Sequence, residues 1–69
     1  MSKIRFIVSS NIKKFRKTHK LTQEELAENT GIDYKYIQKI EGKNPPNIRV
    51  DTLEKIAAAL KTAPAKLIQ

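Results

Sequence analysis

A lone glycine between two short amphipathic runs constrains the fold of this chain more than any other feature. Residues 22–42 read TQEELAENTGIDYKYIQKIEG. Leu21-Thr22-Gln23-Glu24-Glu25-Leu26 has the form of a helix start. Thr22 can accept from the Glu25 amide, the Glu25 side chain can reach back to the Thr22 amide, and Leu21 can staple onto Leu26. Gly31 is the residue type that best tolerates the left-handed conformation after a helix end. Asp33 is placed to cap a second helix, which runs to about Glu41 and stops at Gly42.

The rest of the chain is also helical in pattern. Ile4, Val8, Ile12 and Phe15 recur at the spacing of one helix face, with Phe6 on the far side. KIRFIV alternates as a strand does, so a helix is expected from about 10 to 19, while residues 3–9 fit either a helix or a β-arm. KNPPN cannot be helical, because Pro45 forces Asn44 out of the α region and Pro46 restricts Pro45; a loop of about six residues is expected. Leu53, Ile56, Ala57 and Leu60 resume the helical spacing over residues 50–60. Pro64 suits the first position of a last short helix carrying Leu67 and Ile68. The expectation is a single all-α domain over residues 1–69, a compact five-helix unit without repeat, linker or low-complexity tract. Such a chain buries only about 60% of the surface it exposes when unfolded, so its core is small.

Composition removes several classes of function. With no cysteine there is neither a disulfide framework nor a cysteine-based zinc site. His19 alone cannot build a metal site, and it is expected to be exposed between helices 1 and 2. No Ser/His/Asp constellation, metal set or Gly-rich phosphate loop is present, so neither catalysis nor a cofactor is expected. No apolar run approaches the roughly 18–20 residues of a membrane span, and no signal-peptide pattern opens the chain. A soluble, cytoplasmic protein is expected. Fourteen Lys and Arg against seven Asp and Glu leave a net charge of +7, which favours a polyanionic partner. Lys3, Arg5, Lys13, Lys14, Arg16, Lys17 and Lys20 all precede the first acid. Taken alone, such a run is as readily a merely solvated face as a binding one, and a basic helix can also sit on an anionic membrane.

The arrangement of the two short helices narrows the choice. Two helices joined by a tight turn containing glycine form a helix-turn-helix, whose second helix lies in the major groove of double-stranded DNA. With Ile37 inward, Lys35 and Lys39 point outward, flanked by Gln38 and Tyr34, while Tyr36 sits at the boundary and Glu41 falls inward. An ordinary surface helix shows the same split. The DNA reading is favoured by the absence of an outward acid before Glu41, beside a helix N-terminus that can hold a phosphate. Lys can donate to O6 and N7 of guanine, and Gln can pair bidentately with adenine. Gln23 opens the helix before the turn and is placed beside the second helix's start, where an exposed helix former would look the same. Glu24 and Glu28 are expected on a solvated face turned from DNA. Lys43, Asn44 and Arg49 surround the proline loop and suit phosphate contacts, although an exposed loop needs no function. Arg16 lies about 40° from the line through Ile12, which aims its guanidinium at the core. Unpaired, it would be costly to bury, and Glu41 supplies the matching charge. The two are expected to form a buried structural pair.

LTQEELAENTGIDYKYIQKIEG followed by NIRVDTLEKIAAAL resembles the phage-repressor and Cro-type helix-turn-helix family, also called the xenobiotic-response-element family. The resemblance covers residues 8–68, and the segments stand in the family's order and spacing. Small members include restriction–modification controller proteins, prophage repressors and antitoxins. The resemblance implies a lambda-repressor-like, five-helix DNA-binding domain that acts as a homodimer on a palindromic operator, as repressor or autoregulator. Position by position, it implies that Gln23 is the contact residue of the first motif helix. Tyr34, Lys35, Gln38 and Lys39 match the recognition-helix positions. Arg16 and Glu41 match the buried ion pair, and Lys43 and Asn44 match loop positions that touch phosphate. Two departures stand out: Gly42 follows Glu41 directly, where many members insert one residue, and Ala63 replaces a frequent capping Ser.

One such domain reads only a few base pairs, so a C2 dimer is expected. Its interface is assigned to the last helix through Ala63, Ala65, Leu67 and Ile68, with Phe6 as a further contributor. Neither a sensor domain nor a small-molecule effector is expected. The competing class is an antitoxin-type interaction module whose DNA binding autoregulates a toxin pair. It needs an exposed apolar docking surface, for which Phe6, Leu67 and Ile68 are the candidates.

Overall fold

The computed structural model describes residues 3–69. Its elements are α1 (Ile4–Thr18), α2 (Gln23–Thr30), α3 (Tyr34–Ile40) and α4 (Val50–Ala59), followed by a short 3-10 turn (Pro64–Leu67). The described residues are all-helical and contain no strand.

Helix α1 begins well before residue 10, so the β-arm alternative does not hold. Its first turn closes as the Phe6 and Ile7 amides each donate to the Lys3 carbonyl at 3.1 Å. The helical register turns Val8 and Ile12 to the core, leaving Ile4 about half exposed and Phe6 at the surface. At its other end Lys20 adopts φ 58°, a left-handed conformation that costs a non-glycine residue about 1 kcal/mol or more. The Leu21 amide then donates to the Arg16 carbonyl at 3.1 Å, which turns the chain sharply into α2.

Helix α2 opens with the expected reciprocal cap. The Glu25 amide donates to Thr22 Oγ1 at 3.0 Å, and the Thr22 amide donates to Glu25 Oε1 at 2.8 Å. It ends at Gly31, φ 74°, whose amide donates to the Ala27 carbonyl at 2.8 Å. Thr30 steadies the same turn: its hydroxyl donates to the Leu26 carbonyl at 2.8 Å and accepts from the Ile32 amide at 3.2 Å. Nothing lies within 4 Å of a β-carbon built on Gly31, so the glycine is required by its backbone angle and not by crowding. Gly31→Ala is therefore expected to lose about 1 kcal/mol, and Gly31→Asn less, by urea denaturation. A loss of several kcal/mol for alanine would mean that packing, not φ, sets the residue.

Asp33 precedes α3, but its carboxylate makes no capping bond. Its side chain is exposed, and the Tyr36 and Ile37 amides bond to the Asp33 carbonyl instead, at 3.0 and 3.1 Å.

The fifth element is not an α-helix. The four residues Pro64–Leu67 are too few to establish i→i−4 bonding. The Lys66 and Ile68 amides instead donate three residues back, to Ala63 and Ala65, at 3.0 and 3.2 Å. This turn packs against both α1 and α4, and α2 packs against α3 and α4. Ile12, Leu26, Ile37, Ile40, Ile56, Leu60 and Leu67 meet in one core with no solvent exposure. No helix among the described residues is long and apolar enough to cross a membrane.

Candidate nucleic-acid interface

Three helices converge on one carboxylate. Glu41 follows the last turn of α3, and its side chain is only 1% exposed. Arg16 of α1 meets it as a fork, Nε donating to Oε2 at 2.7 Å and Nη2 to Oε1 at 2.9 Å. Arg16 Nη1 donates to the Leu21 carbonyl at 2.6 Å, which fastens the α1–α2 connection to the same centre. Gln23, the first residue of α2, donates from Nε2 to Glu41 Oε1 at 3.1 Å. Burying a charge pair is tolerable when the partners are bidentate and further hydrogen bonds satisfy the remaining atoms, and that is the arrangement here. Hydrogen bonding to Glu41, reinforced by its negative charge and outweighing burial, raises the Arg16 pKa above its ordinary value. A raised arginine pKa stabilises the fold at every pH below it, so the guanidinium releases its proton only under strongly alkaline conditions.

Hiding Glu41 leaves the outer side of α3 without a negative charge. Tyr34, Lys35, Gln38 and Lys39 are all exposed there. Lys35 and Lys39 stand about 6 Å apart along the axis, roughly one turn. Neither forms an ion pair or side-chain hydrogen bond among the described residues. Gln38 is engaged: its Nε2 donates to the Tyr34 hydroxyl at 3.2 Å. Lys43 and Asn44, just beyond α3, are exposed and unpaired among the described residues. Arg49 precedes α4 and approaches Asp51, with Nε 3.6 Å from Oδ1. Both side chains are largely hydrated, so this contact is worth at most about 1 kcal/mol, but it offsets part of the Arg49 charge.

Gln23 stands apart from the exposed group. It is half-buried, with one amide N–H committed to Glu41, leaving a second N–H and its carbonyl oxygen. The cap at Thr22 and Glu25 uses two of the amides that open α2. Helical spacing turns Arg16 and Glu41 inward as a pair, but it does not reveal the Gln23 bond, which depends on how α2 crosses the end of α3. The Tyr34–Gln38 contact had a legible signal, an i, i+4 pair of polar side chains on one helix face.

The expected dimer residues divide. Leu67 has no solvent exposure, because the 3-10 turn folds back and inserts it between α1 and α4. Asn11 clamps that position, its Nδ2 donating to the Leu67 carbonyl at 2.9 Å and to the Gln69 carbonyl at 3.2 Å. Leu67 is thus a core residue of the single chain and offers no docking surface. Ala63 and Ala65 remain exposed, as does Ile68. Ile68 lines a surface groove with Ile4, Val8, Ile48, Val50 and Leu53, and Phe6 and Ile7 are also exposed on α1.

Residues 12–67 match the helix-turn-helix family, a span that takes in the Arg16–Glu41 pair, both motif helices and the Gly31 turn. Control protein C.SmaI of Serratia marcescens is 37% identical over 65 residues, covering 94% of this chain and 76% of that protein. A hypothetical transcription factor of Neisseria meningitidis serogroup B is also 37% identical over 65 residues, covering 94% of this chain and 60% of its own length. The crystal structure of the hypothetical transcription factor NHTF from Neisseria superposes with a TM-score of 0.88 at 37% identity, covering 94% of this chain and 72% of that one. The chain belongs to the helix-turn-helix family, of the xenobiotic-response-element type, whose members are DNA-binding transcription regulators.

Proposed function

We propose that this chain is a cytoplasmic, sequence-specific regulator, a repressor or autoregulator that binds a palindromic operator as a homodimer and enters the major groove with α3. The observation that carries this is the outer side of α3, where four exposed donor side chains stand together with no acid among them. Lys35 and Lys39 suit the acceptors of guanine, and Gln38 suits adenine. Lys43, Asn44 and Arg49 follow as phosphate contacts, and the free N–H of Gln23 suits a phosphate beside the start of α2. Kinship with a control protein and a hypothetical transcription factor supports the regulatory role.

The size of the domain supports two copies. Its longest dimension is 31 Å and it carries a single α3. Successive major grooves on one face of DNA lie about 34 Å apart, so reading two half-sites takes a second protomer. With Leu67 committed to the core, the interface falls to Ile68 with Ala63 and Ala65, joined by Phe6 and Ile7.

Titration of the protein against its preferred duplex tests both parts of this proposal at once. Two protomers per operator are expected, and binding tighter than to a scrambled duplex by about a thousandfold or more. Ile68→Glu should sediment as a monomer and lose affinity for the full palindrome while keeping it for an isolated half-site. A monomer at high concentration forming a one-to-one complex would count against the dimer, and equal binding to both duplexes would count against sequence-specific function.

A further inference from the structure

A hydrogen bond joins Gln38, a candidate base reader, to the Tyr34 hydroxyl. Gln38 Nε2 donates and the Tyr34 hydroxyl accepts, at 3.2 Å, one helical turn apart on the exposed side of α3. A carboxamide offers two N–H donors on one side and an acceptor oxygen on the other. In a bidentate pair with adenine, the oxygen accepts from N6–H and one N–H donates to N7. The second N–H is spare, and the Tyr34 hydroxyl can take it without disturbing the pair. Guanine presents two acceptors, O6 and N7, to the same groove. An amide held as it is for adenine brings its own oxygen against O6, so acceptor faces acceptor. Serving guanine requires the reversed amide, with its oxygen turned back to accept from the Tyr34 hydroxyl.

A tyrosine hydroxyl has one proton to give. When that proton goes to a phosphate oxygen, the hydroxyl can only accept from Gln38, and the reversed amide loses its partner. Resting on the reading that α3 enters the major groove, we infer that Tyr34 is a positioning residue for base recognition. Its hydroxyl donates to a backbone phosphate, accepts from Gln38 Nε2, and so holds the Gln38 amide to read adenine and reject guanine at one position of each half-site.

The test uses the preferred operator and a set of duplexes in which each A·T pair is replaced in turn by G·C. Wild-type protein should lose about tenfold or more at one symmetric position, the worth of a bidentate contact. Gln38→Ala should abolish that preference. Tyr34→Phe should weaken binding to every duplex modestly and collapse the adenine-over-guanine ratio at the same position to within about threefold, leaving the other positions unchanged. Both side chains are exposed, so the variants should melt as wild type does. A purely structural role for Tyr34 predicts an even loss at all positions with the ratio intact, and that result overturns the proposal. If Gln38→Ala loses the preference while Tyr34→Phe keeps it, Gln38 reads the base without Tyr34. If Gln38→Ala keeps every preference, Gln38 does not read a base and the proposal falls, while wild-type protein indifferent to every replacement would overturn the reading of α3 itself.

Discussion

Replacing Arg16 with Met is expected to destabilise the protein by about 3–5 kcal/mol, because it leaves the Glu41 carboxylate buried without its partner. Natural domains hold roughly 0.05–0.15 kcal/mol per residue, so for a chain this short the loss approaches the whole stability. The single variant should therefore be largely unfolded at room temperature by circular dichroism. Arg16→Met combined with Glu41→Leu removes both charges and should recover part of the loss. Recovery should stay incomplete, since Gln23 Nε2 also loses its acceptor and the Leu21 carbonyl its donor. A single variant that melts as wild type would mean that the Arg16–Glu41 fork is solvated and contributes little.

The second large effect separates base reading from electrostatic adhesion. A net charge of +7 attaches a small protein to any DNA, so binding alone says little. Lys39→Ala is expected to cost about 1–3 kcal/mol on the preferred operator and to relax preference at one position, as the loss of a base-edge contact does. Lys43→Ala should weaken all sequences alike and reduce the slope of log affinity against log salt by about one. Competition titrations of both variants on specific and scrambled duplexes, at two salt concentrations, distinguish these outcomes. Equal losses for Lys39→Ala on both duplexes would make Lys39 a phosphate anchor.

Local chemistry was the most legible part of this chain. The Thr22–Glu25 cap and the Gly31 turn depend on residues three or four positions apart, and both stand as their spacing implies. The Arg16–Glu41 pair spans 25 positions, yet it could be read because a charge on the apolar side of each of two helices has few other solutions. Leu67 lies in the core and not at a docking surface, and the reason is physical. An apolar residue at the end of a chain satisfies a monomer core and a dimer interface equally, and only the path of the 3-10 turn decides between them. The same limit applies to Gln23, which is expected beside the start of α3 but is bonded to Glu41, just past its far end. At Asp33, propensity names the capping position but does not decide whether the carboxylate makes the capping bond.

Enrichment of bound duplexes from a random pool tests most directly whether α3 reads bases as part of a symmetric pair. The expected product is a palindromic site whose half-sites are centred about 10 base pairs apart, one helical turn, with strong preferences confined to the few positions within reach of Lys35, Gln38 and Lys39. A pool that stays random, or converges on an asymmetric site bound by one copy, would contradict it.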